Sequence, residues 1–345
     1  MTVNTVLGPV PADELGVVAV HEALLSVLPG AEHAYDITLD RAEIFATLAA
    51  KLTAFRTAGG RTIVDSTGMF HGRDLPLYEA LSRATGVHIV ASTGLGPEEM
   101  LGGYFLTPQT NPPTPWPASK FADLFAREVT EGMVVPRVER RAAAGLVSTA
   151  ATSTGMTATD ESLLRGAARA ALATGVPLSL RFGGDLDVVL DEKLPPDRVI
   201  VGDLDRRDAA PAVPPPTSTA LAPTSTALAP TSTALAPTST ALAPAAVARR
   251  GAYVALDHVG LNDDDRYLTD RERANLVADL VRAGHGDRIL LSANAIGVAK
   301  GHPAYDMPYD YVLSTFVPYL KTQGLGDDDV RRLIVDNPRD LLTQR

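Results

Sequence analysis

Short apolar runs rich in β-branched residues alternate with longer segments of helical period along most of the chain. Nearly every residue in these runs is apolar, which is typical of strands buried on both faces, as in a parallel sheet covered by helices. The sequence predicts eight such strands, over residues 17–20, 62–65, 88–92, 145–148, 178–182, 199–202, 253–257 and 289–292.

Start and stop signals delimit the helices between these strands. Asp40 with Glu43 predicts a capping box at one helix start, and Gly59-Gly60 predicts its end. Thr269 with Glu272 predicts a second capping box further along the chain. Eight strands alternating with helices indicate a (β/α)₈ barrel, and a doubly wound open sheet is the alternative from the pattern alone.

In a (β/α)₈ barrel the chemistry gathers where the strands end, at the carboxyl-terminal face. The residues at these predicted strand ends are polar throughout, as expected of a site. They are His21, Asp65, Thr93, Ser148, Arg181, Asp203, Asp257, His258 and Asn294.

Charge and composition exclude several classes of protein. The chain carries 31 basic and 41 acidic residues, a net charge of −10, whereas a nucleic-acid-binding protein normally shows a basic surface. It has no cysteine, so it has no disulfide framework and no thiolate zinc site. The amino terminus lacks the pattern of a signal peptide, and no apolar run is long enough to span a membrane. We therefore expect a cytoplasmic protein.

One stretch differs from the rest. Residues 209–248 contain no charged, aromatic or glycine residue, and the unit PTSTALA occurs there four times in tandem. A coiled coil is excluded because each unit has one large apolar residue and a helix-breaking proline. The composition predicts an extended, disordered insertion between strands six and seven of one domain spanning residues 1–345.

Several motifs, taken in order, resemble the phosphotriesterase-like branch of the amidohydrolase superfamily. The start of the chain is similar to that family's first strand, in TVLGPVPADELGVVAVHE. Similar second and third strands follow in RTIVDSTGMFHGRD and VHIVASTG, and a similar fourth strand in GLVSTAATSTGMT. Segments similar to the family's fifth, seventh and eighth strands and to its closing helix follow, in that order, in AARAALATGVPLSL, GAYVALDHVGL, DRILLSANA and VDNPRDLL. The resemblance implies a (β/α)₈ barrel of the phosphotriesterase type, and by the same resemblance a homodimer.

The resemblance also implies two divalent metals, usually zinc, and a bridging hydroxide that attacks phosphotriesters, lactones or related esters. The family's ligands are four histidines, an aspartate and a carboxylated lysine. Of the matching positions here, only the first keeps its residue type. In chain order the positions are His21, Ala23, Ser148, Arg181, Asp203 and Asn294.

Arg181 is a permanent cation with no lone pair to give a metal, and it stands where a histidine ligand is implied. We expect it to form an ion pair with Asp203 that fills the vacated site. His21 is expected to be hydrogen-bonded to a neighbour. A single ion held by His21, Asp203 and Asn294 remains the alternative, although Arg181 would repel it.

The sequence gives little indication of any other catalytic system. A pairing of Ser148 with His21 as nucleophile and base can be imagined, but no third group is indicated to orient the histidine. Asp257 and His258 are adjacent, so only one is expected to point into the barrel mouth. With Asp65, Thr93, Arg181 and Asp203 they are the candidates for lining a ligand pocket.

The sequence therefore predicts a phosphotriesterase-like barrel with a degenerate binuclear metal site. We expect it to be non-hydrolytic, with no cofactor, and to keep a small-molecule pocket or a scaffold role. The alternative is an active metal-dependent hydrolase of phosphotriesters, lactones or related esters that uses a rebuilt or single-metal site.

Overall fold

A computed structural model describes most of the chain. It covers residues 1–344 except for 70, 102–115, 136–138, 153–154, 182–184, 208–243 and 304–305. Among the described residues, none of the helices is both long and apolar enough to cross a lipid bilayer.

Nine strands form one parallel sheet. In chain order they are β1 (Val17–Val27), β2 (Gly60–Asp65), β3 (His88–Thr93), β4 (Leu146–Ala150), β5 (Leu178–Arg181), β6 (Val199–Val201), β7 (Tyr253–Leu256), β8 (Ile289–Leu291) and β9 (Ile296–Lys300). Two short antiparallel pairs lie outside it, Thr2–Thr5 with Gly8–Pro11 and Val134–Val135 with Glu139–Arg140.

The sheet closes on itself through its last two strands. Each strand from β1 to β7 pairs with the strand that follows it in the chain, and β9 pairs in parallel with β1. Because residues 292–295 join β8 directly to β9, these two strands together form the eighth strand of the barrel. The predicted (β/α)₈ barrel is confirmed, and the open sheet is excluded.

Helices cover the outside of the barrel. They are α1 (Arg41–Thr57), α2 (Leu75–Thr85), α3 (Ala118–Thr130), α4 (Ala158–Thr174), α5 (Leu186–Asp191), α6 (Pro244–Arg249), α7 (Asp270–Arg282), α8 (Val317–Thr322), α9 (Asp327–Arg331) and α10 (Asn337–Leu342). Short 3₁₀ turns lie at Ala12–Glu14, Ala31–His33, Glu98–Met100, Pro196–Arg198 and Gly286–Arg288, and π-helical turns at Val312–Phe316 and Arg332–Asp336.

The helix starts follow from local hydrogen bonding. Thr269 and Glu272 form the predicted capping box at the start of α7. At α1, Asp40 accepts hydrogen bonds from the amides of Ala42 and Glu43, and the helix ends just before Gly59, whose φ is +104°. The reciprocal bond from the Glu43 side chain, expected from the motif, is not among the hydrogen bonds of the described residues.

Two apolar layers result from the alternation of side chains along the strands. The larger layer packs the outer faces of the strands against the helices. The smaller fills the barrel interior and includes Val18, Val64, Val90, Ile200 and Leu290 from five different strands. Toward the carboxyl ends of the strands, the side chains in the barrel interior are polar instead of apolar.

The predicted insertion lies mostly outside the described residues. Of residues 209–248, the structure describes only 244–248, and they belong to α6 (Pro244–Arg249). Residues 244–248 are therefore helical rather than extended as predicted, and the rest of the predicted loop lies outside the described residues. Val247 of α6 packs fully buried in the outer apolar layer.

Candidate functional site at the barrel mouth

Three predicted site residues share an uncommon backbone conformation. His21, Asp203 and Asn294 have φ values of 59°, 58° and 49°, and Lys193 is the one other non-glycine residue with positive φ in the described chain. Non-glycine residues in this left-handed region are strained, and such strain is concentrated at functional sites. The barrel thus holds in a strained backbone conformation three positions at which the resemblance implies metal ligands.

His21 is fully buried and bonded through both ring nitrogens. Its Nδ1 lies 2.7 Å from Oδ1 of Asp257, and its Nε2 lies 2.7 Å from Oγ of Ser179. The predicted hydrogen bonding of His21 to a neighbour is present. The imagined partner Ser148 is not the one found, since β5 supplies Ser179 instead.

Arg181, Asp203 and Asn294 meet at the ends of β5, β6 and β8. Nη2 of Arg181 lies 3.1 Å from Oδ1 of Asn294 and 3.5 Å from Oδ1 of Asp203. The expected ion pair between Arg181 and Asp203 is therefore present, and both residues are only 7% exposed. Burial alone would lower the pKa of Arg181, but the carboxylates of Asp203 and Asp257 raise it above its ordinary value.

Asp257 joins these two groups. Its Oδ1 contacts His21, and its Oδ2 accepts a 2.8 Å hydrogen bond from the amide of Asp203. Burial alone would raise the pKa of Asp257, but His21 and Arg181 favour the charged carboxylate and hold that pKa below its usual range. Asp257 is thus an anion that orients both the histidine and the strained backbone of Asp203.

A second buried network continues from Asp203. Nε2 of His258 lies 3.6 Å from Oδ1 of Asp203, and Nδ1 of His258 lies 3.0 Å from Oδ1 of Asp205. Asp205 also accepts a 2.6 Å bond from Nε of Arg273, which lies on α7 and is fully buried. The ring of His258 packs against Tyr267, with 3.9 Å between the ring centroids. Asp257 and His258 therefore both contact Asp203, the first at its amide and the second at its carboxylate.

Glu22 is a buried carboxyl that the sequence analysis missed. Its Oε1 accepts a 3.0 Å bond from Oγ of Ser292, and its Oε2 accepts a 2.6 Å bond from the amide of Ala295. Burial raises the pKa of Glu22 to about 7, although these bonds lower it. The carboxyl therefore ties β1 to residues 292–295, where Asn294 takes its left-handed conformation.

Two predicted pocket residues lie apart from this cluster. The Asp65 carboxylate accepts a 2.8 Å bond from the amide of Leu24 and also binds the Thr67 hydroxyl. Burial raises the pKa of Asp65, while these bonds lower it. Thr93 faces Glu128 of α3 rather than the barrel interior. Asp65 therefore joins the ends of β1 and β2 and, within the described residues, does not contact the Arg181 cluster.

The family's two metals do not fit the residues present. Ala23 presents a methyl group, Ser148 cannot form a carbamate, and the cation of Arg181 occupies a ligand position. His21 engages both nitrogens with protein partners. Within the described ranges, no group of three or more His, Asp or Glu side chains is arranged to hold a metal ion.

Besides Glu22, three other residues of these networks were not predicted, namely Ser179, Asp205 and Arg273. The signal for the first is the alternation LSLR in β5, which places Ser179 and Arg181 on one face and two leucines on the other. Asp205 follows Asp203 by two residues, just beyond β6. Arg273 has a local partner in Asp270, but its contact with Asp205 joins residues 68 positions apart, and no local pattern predicts that contact.

Comparisons with known proteins agree with this architecture. A "Phosphotriesterase homology protein" of Mycobacterium tuberculosis strain H37Rv is 26% identical over 97% of this chain and 96% of its own length. An "Aryldialkylphosphatase" of Saccharolobus solfataricus is 22% identical over 96% of each chain. An "N-acetyltaurine hydrolase" of Tetraodon nigroviridis is 24% identical over 99% of this chain and 97% of its own.

Solved structures extend the likeness to three dimensions. One, described as "Molecular Engineering of Organophosphate Hydrolysis Activity from a Weak Promiscuous Lactonase Template", superposes with a TM-score of 0.79. It is 25% identical, with 99% of this chain and 100% of that one covered. The model of the phosphotriesterase family matches residues 1–205 and 244–342, so the match omits most of the PTSTALA tract. With this match over most of its length, the chain belongs to the phosphotriesterase family.

Proposed function

We propose that this protein is a phosphotriesterase-family barrel that does not hydrolyse esters through a metal hydroxide. Its mouth holds a small polar ligand or serves as a scaffold. The observation that carries the proposal is the position of the Arg181 guanidinium, which contacts Asp203 and Asn294. These three residues stand at three of the family's ligand positions.

Electrostatics support this reading. A guanidinium that is never deprotonated repels a divalent cation at the same point. The carboxylate of Asp203, which could still bind a metal, is instead directed at Arg181 and His258. The charge that two metals supply in the family is partly replaced here by a single fixed cation.

The alternative function is a metal-dependent hydrolase with a rebuilt or single-metal site. Relatives named for aryldialkylphosphatase and N-acetyltaurine hydrolase activity favour it. So does the left-handed backbone retained at His21, Asp203 and Asn294. For a single ion to bind, His21 would have to give up Ser179 or Asp257, and Arg181 would have to turn away.

Metal content and turnover decide between the two functions. The purified full chain is assayed by inductively coupled plasma mass spectrometry, and then for hydrolysis of a phosphotriester and a γ-lactone with and without added zinc, manganese or cobalt. We expect no stoichiometric metal and no metal-stimulated turnover. About two tightly held metals per chain, with chelator-sensitive turnover, would overturn the proposal.

A variant that restores the family's ligands provides the matched control. It combines Ala23→His, Ser148→Lys, Arg181→His, Asp203→His and Asn294→Asp. We expect this variant, if folded by circular dichroism, to retain divalent metal through gel filtration. Equal metal retention by the natural chain would show that Arg181 does not exclude the ions.

Two further properties belong to this proposal. A homodimer is expected because the family resemblance implies one, and light scattering coupled to gel filtration tests it. A ligand at the mouth is expected to raise the melting temperature, since binding to the folded state alone stabilises that state. Arg181→Met should abolish such a shift for a ligand that contacts the guanidinium.

A further inference from the structure

Three side chains on three different strands form a hydrogen-bonded series inside the barrel. Ser179 comes from β5, His21 from β1 and Asp257 from the end of β7. Oγ of Ser179 lies 2.7 Å from Nε2 of His21, and Nδ1 of His21 lies 2.7 Å from Oδ1 of Asp257. These are the residue types, the order and the distances of a nucleophile, a general base and the carboxylate that orients the base.

The carboxylate determines which ring nitrogen carries the proton. Both carboxylate oxygens of Asp257 face nitrogen atoms: Oδ2 accepts a 2.8 Å bond from the amide of Asp203, and Oδ1 lies 2.7 Å from Nδ1 of His21. Nδ1 of His21 therefore carries a hydrogen toward Asp257. In the neutral ring Nε2 is then the free base, and it accepts the hydrogen bond from the hydroxyl of Ser179.

We infer that Ser179, His21 and Asp257 form a metal-free acyl-transfer site for small carboxylic esters. Oγ of Ser179 attacks the ester carbonyl and forms a new C–O bond, while its proton passes to Nε2 of His21. Collapse of the tetrahedral intermediate breaks the bond to the alkoxide, which takes that proton and leaves as the alcohol. Water or a second alcohol then removes the acyl group from Ser179 by the same steps in reverse.

Arg181 supplies the charge that such a reaction requires. It lies two residues beyond Ser179 on β5, so both side chains face the barrel interior. Its guanidinium is the fixed cation on the mouth side of the serine. A fixed positive charge near a developing oxyanion lowers the barrier to attack.

Burial limits what can reach the serine. Ser179, His21 and Asp257 are fully buried, whereas Arg181 and Asp203 above them are each 7% exposed. An ester must therefore pass the Arg181–Asp203 pair, whose 3.5 Å separation is at the long end for a hydrogen bond. This favours acetyl-sized groups over long acyl chains.

This inference goes beyond the proposed function because it requires no metal. A chain without metal-dependent hydrolysis can still carry a serine that accepts an acyl group. Conversely, a metal found at the mouth would engage His21 and separate it from Ser179. Metal content and metal-stimulated turnover test the proposed function, whereas labelling of Ser179 in EDTA tests this inference with the metal removed.

Covalent labelling of the full chain in EDTA tests the inference. The protein is incubated with p-nitrophenyl acetate or with phenylmethylsulfonyl fluoride, and the adduct is located by peptide mass spectrometry. We expect one adduct on Ser179, faster with the acetyl ester than with the decanoyl ester. Ser179→Ala should lose it, and Asp257→Asn should slow acylation by about 10⁴-fold, the scale seen when a triad aspartate becomes asparagine.

Ser92→Ala is the matched control, because Ser92 is a buried strand serine whose hydroxyl accepts from the amide of Gly68 and contacts no histidine. Its labelling rate should equal that of the unmodified chain. If Ser179→Ala does not fold, Ser179→Cys should be alkylated by iodoacetamide at a rate that falls in a His21→Gln background. No adduct on Ser179 of the folded chain, or a rate unchanged by Asp257→Asn, overturns the inference.

Discussion

The two ends of the barrel interior are built on different principles. Toward the amino-terminal end the interior is filled by aliphatic side chains such as Val18, Val90 and Leu290. Toward the carboxyl-terminal end it is filled by charged and hydrogen-bonding groups, including Arg181 and Asp257, which are nearly as buried. Apolar packing tolerates changes that keep volume, whereas each buried charge depends on particular partners.

This difference explains how one end could change its chemistry while the fold persisted. The apolar end needs residues of suitable size, so it imposes few constraints on which residue stands where. At the mouth, loss of a metal ligand leaves charges that another group must balance. Under the proposed function, the contact of Arg181 with Asp203 and Asn294 provides this balance.

The largest expected effect tests the dependence of the mouth on its partners. Asp205→Ala removes the carboxylate that accepts from Arg273 at 2.6 Å and contacts His258 at 3.0 Å. Because Arg273 is fully buried, we expect a loss of about 3–5 kcal/mol in the free energy of unfolding, measured in urea. Asp279→Ala, at the exposed pair with Arg282, should change stability by less than about 0.5 kcal/mol. Equal effects at the two sites would remove the contrast between buried and exposed charges.

The next effect concerns pH and the buried carboxyl of Glu22. Below its unfolded pKa of 4.5 the group is protonated in both states, and above its folded pKa of about 7 it is ionised in both. Between these values the unfolded chain ionises first, so stability falls as pH rises, by about 3 kcal/mol in total. Glu22→Gln should abolish this part of the slope when urea unfolding is compared at pH 5 and pH 8. A variant with an unchanged slope would show that another group is responsible.

A smaller effect isolates the backbone strain at the mouth. Asn294 has φ of 49° and accepts a hydrogen bond from Arg181, which both Asn294→Gly and Asn294→Ala remove. The difference between the two variants therefore reports the conformation alone. We expect the alanine variant to be less stable by about 1–2 kcal/mol in urea unfolding, since glycine adopts this region without a Cβ clash. Equal stabilities would mean that the backbone relaxes there.

The smallest effect lies at the apolar end. Ile200 is 1% exposed and belongs to the interior layer, so Ile200→Val removes one methylene from a packed site. We expect a loss of about 0.5–1.5 kcal/mol that is the same at pH 5 and pH 8. A loss above 3 kcal/mol, or one that depends on pH, would show that the apolar end is coupled to the charges above it.

The fold was predictable because its signals are local. The β-branched runs place the first eight strands within a few residues of their observed bounds, apart from β1, which extends to Val27. The added length of β1 arises from its pairing with β9, and no separate apolar run in the sequence predicted that strand. Capping residues such as Thr269 likewise act within one turn of the helix.

The site was predictable only in part, because its partners are distant along the chain. The motifs correctly placed Arg181 and Asp203 close enough for an ion pair. His21, however, bonds to residues 158 and 236 positions away, and a single sequence contains no local cue for such a choice. Ser148 and Ser179 are register neighbours on adjacent strands, so the imagined serine was wrong by one strand.

The closure of the sheet has a consequence for how the protein is made. Ala23 on β1 pairs with Ile296 on β9, so almost the whole chain separates the two partners. During synthesis the first strand emerges early, and one of its edges has no partner until β9 leaves the ribosome. An unpaired apolar edge invites pairing with other chains. The nascent protein should therefore be a client of chaperones, and release from them should follow the emergence of residues 296–300.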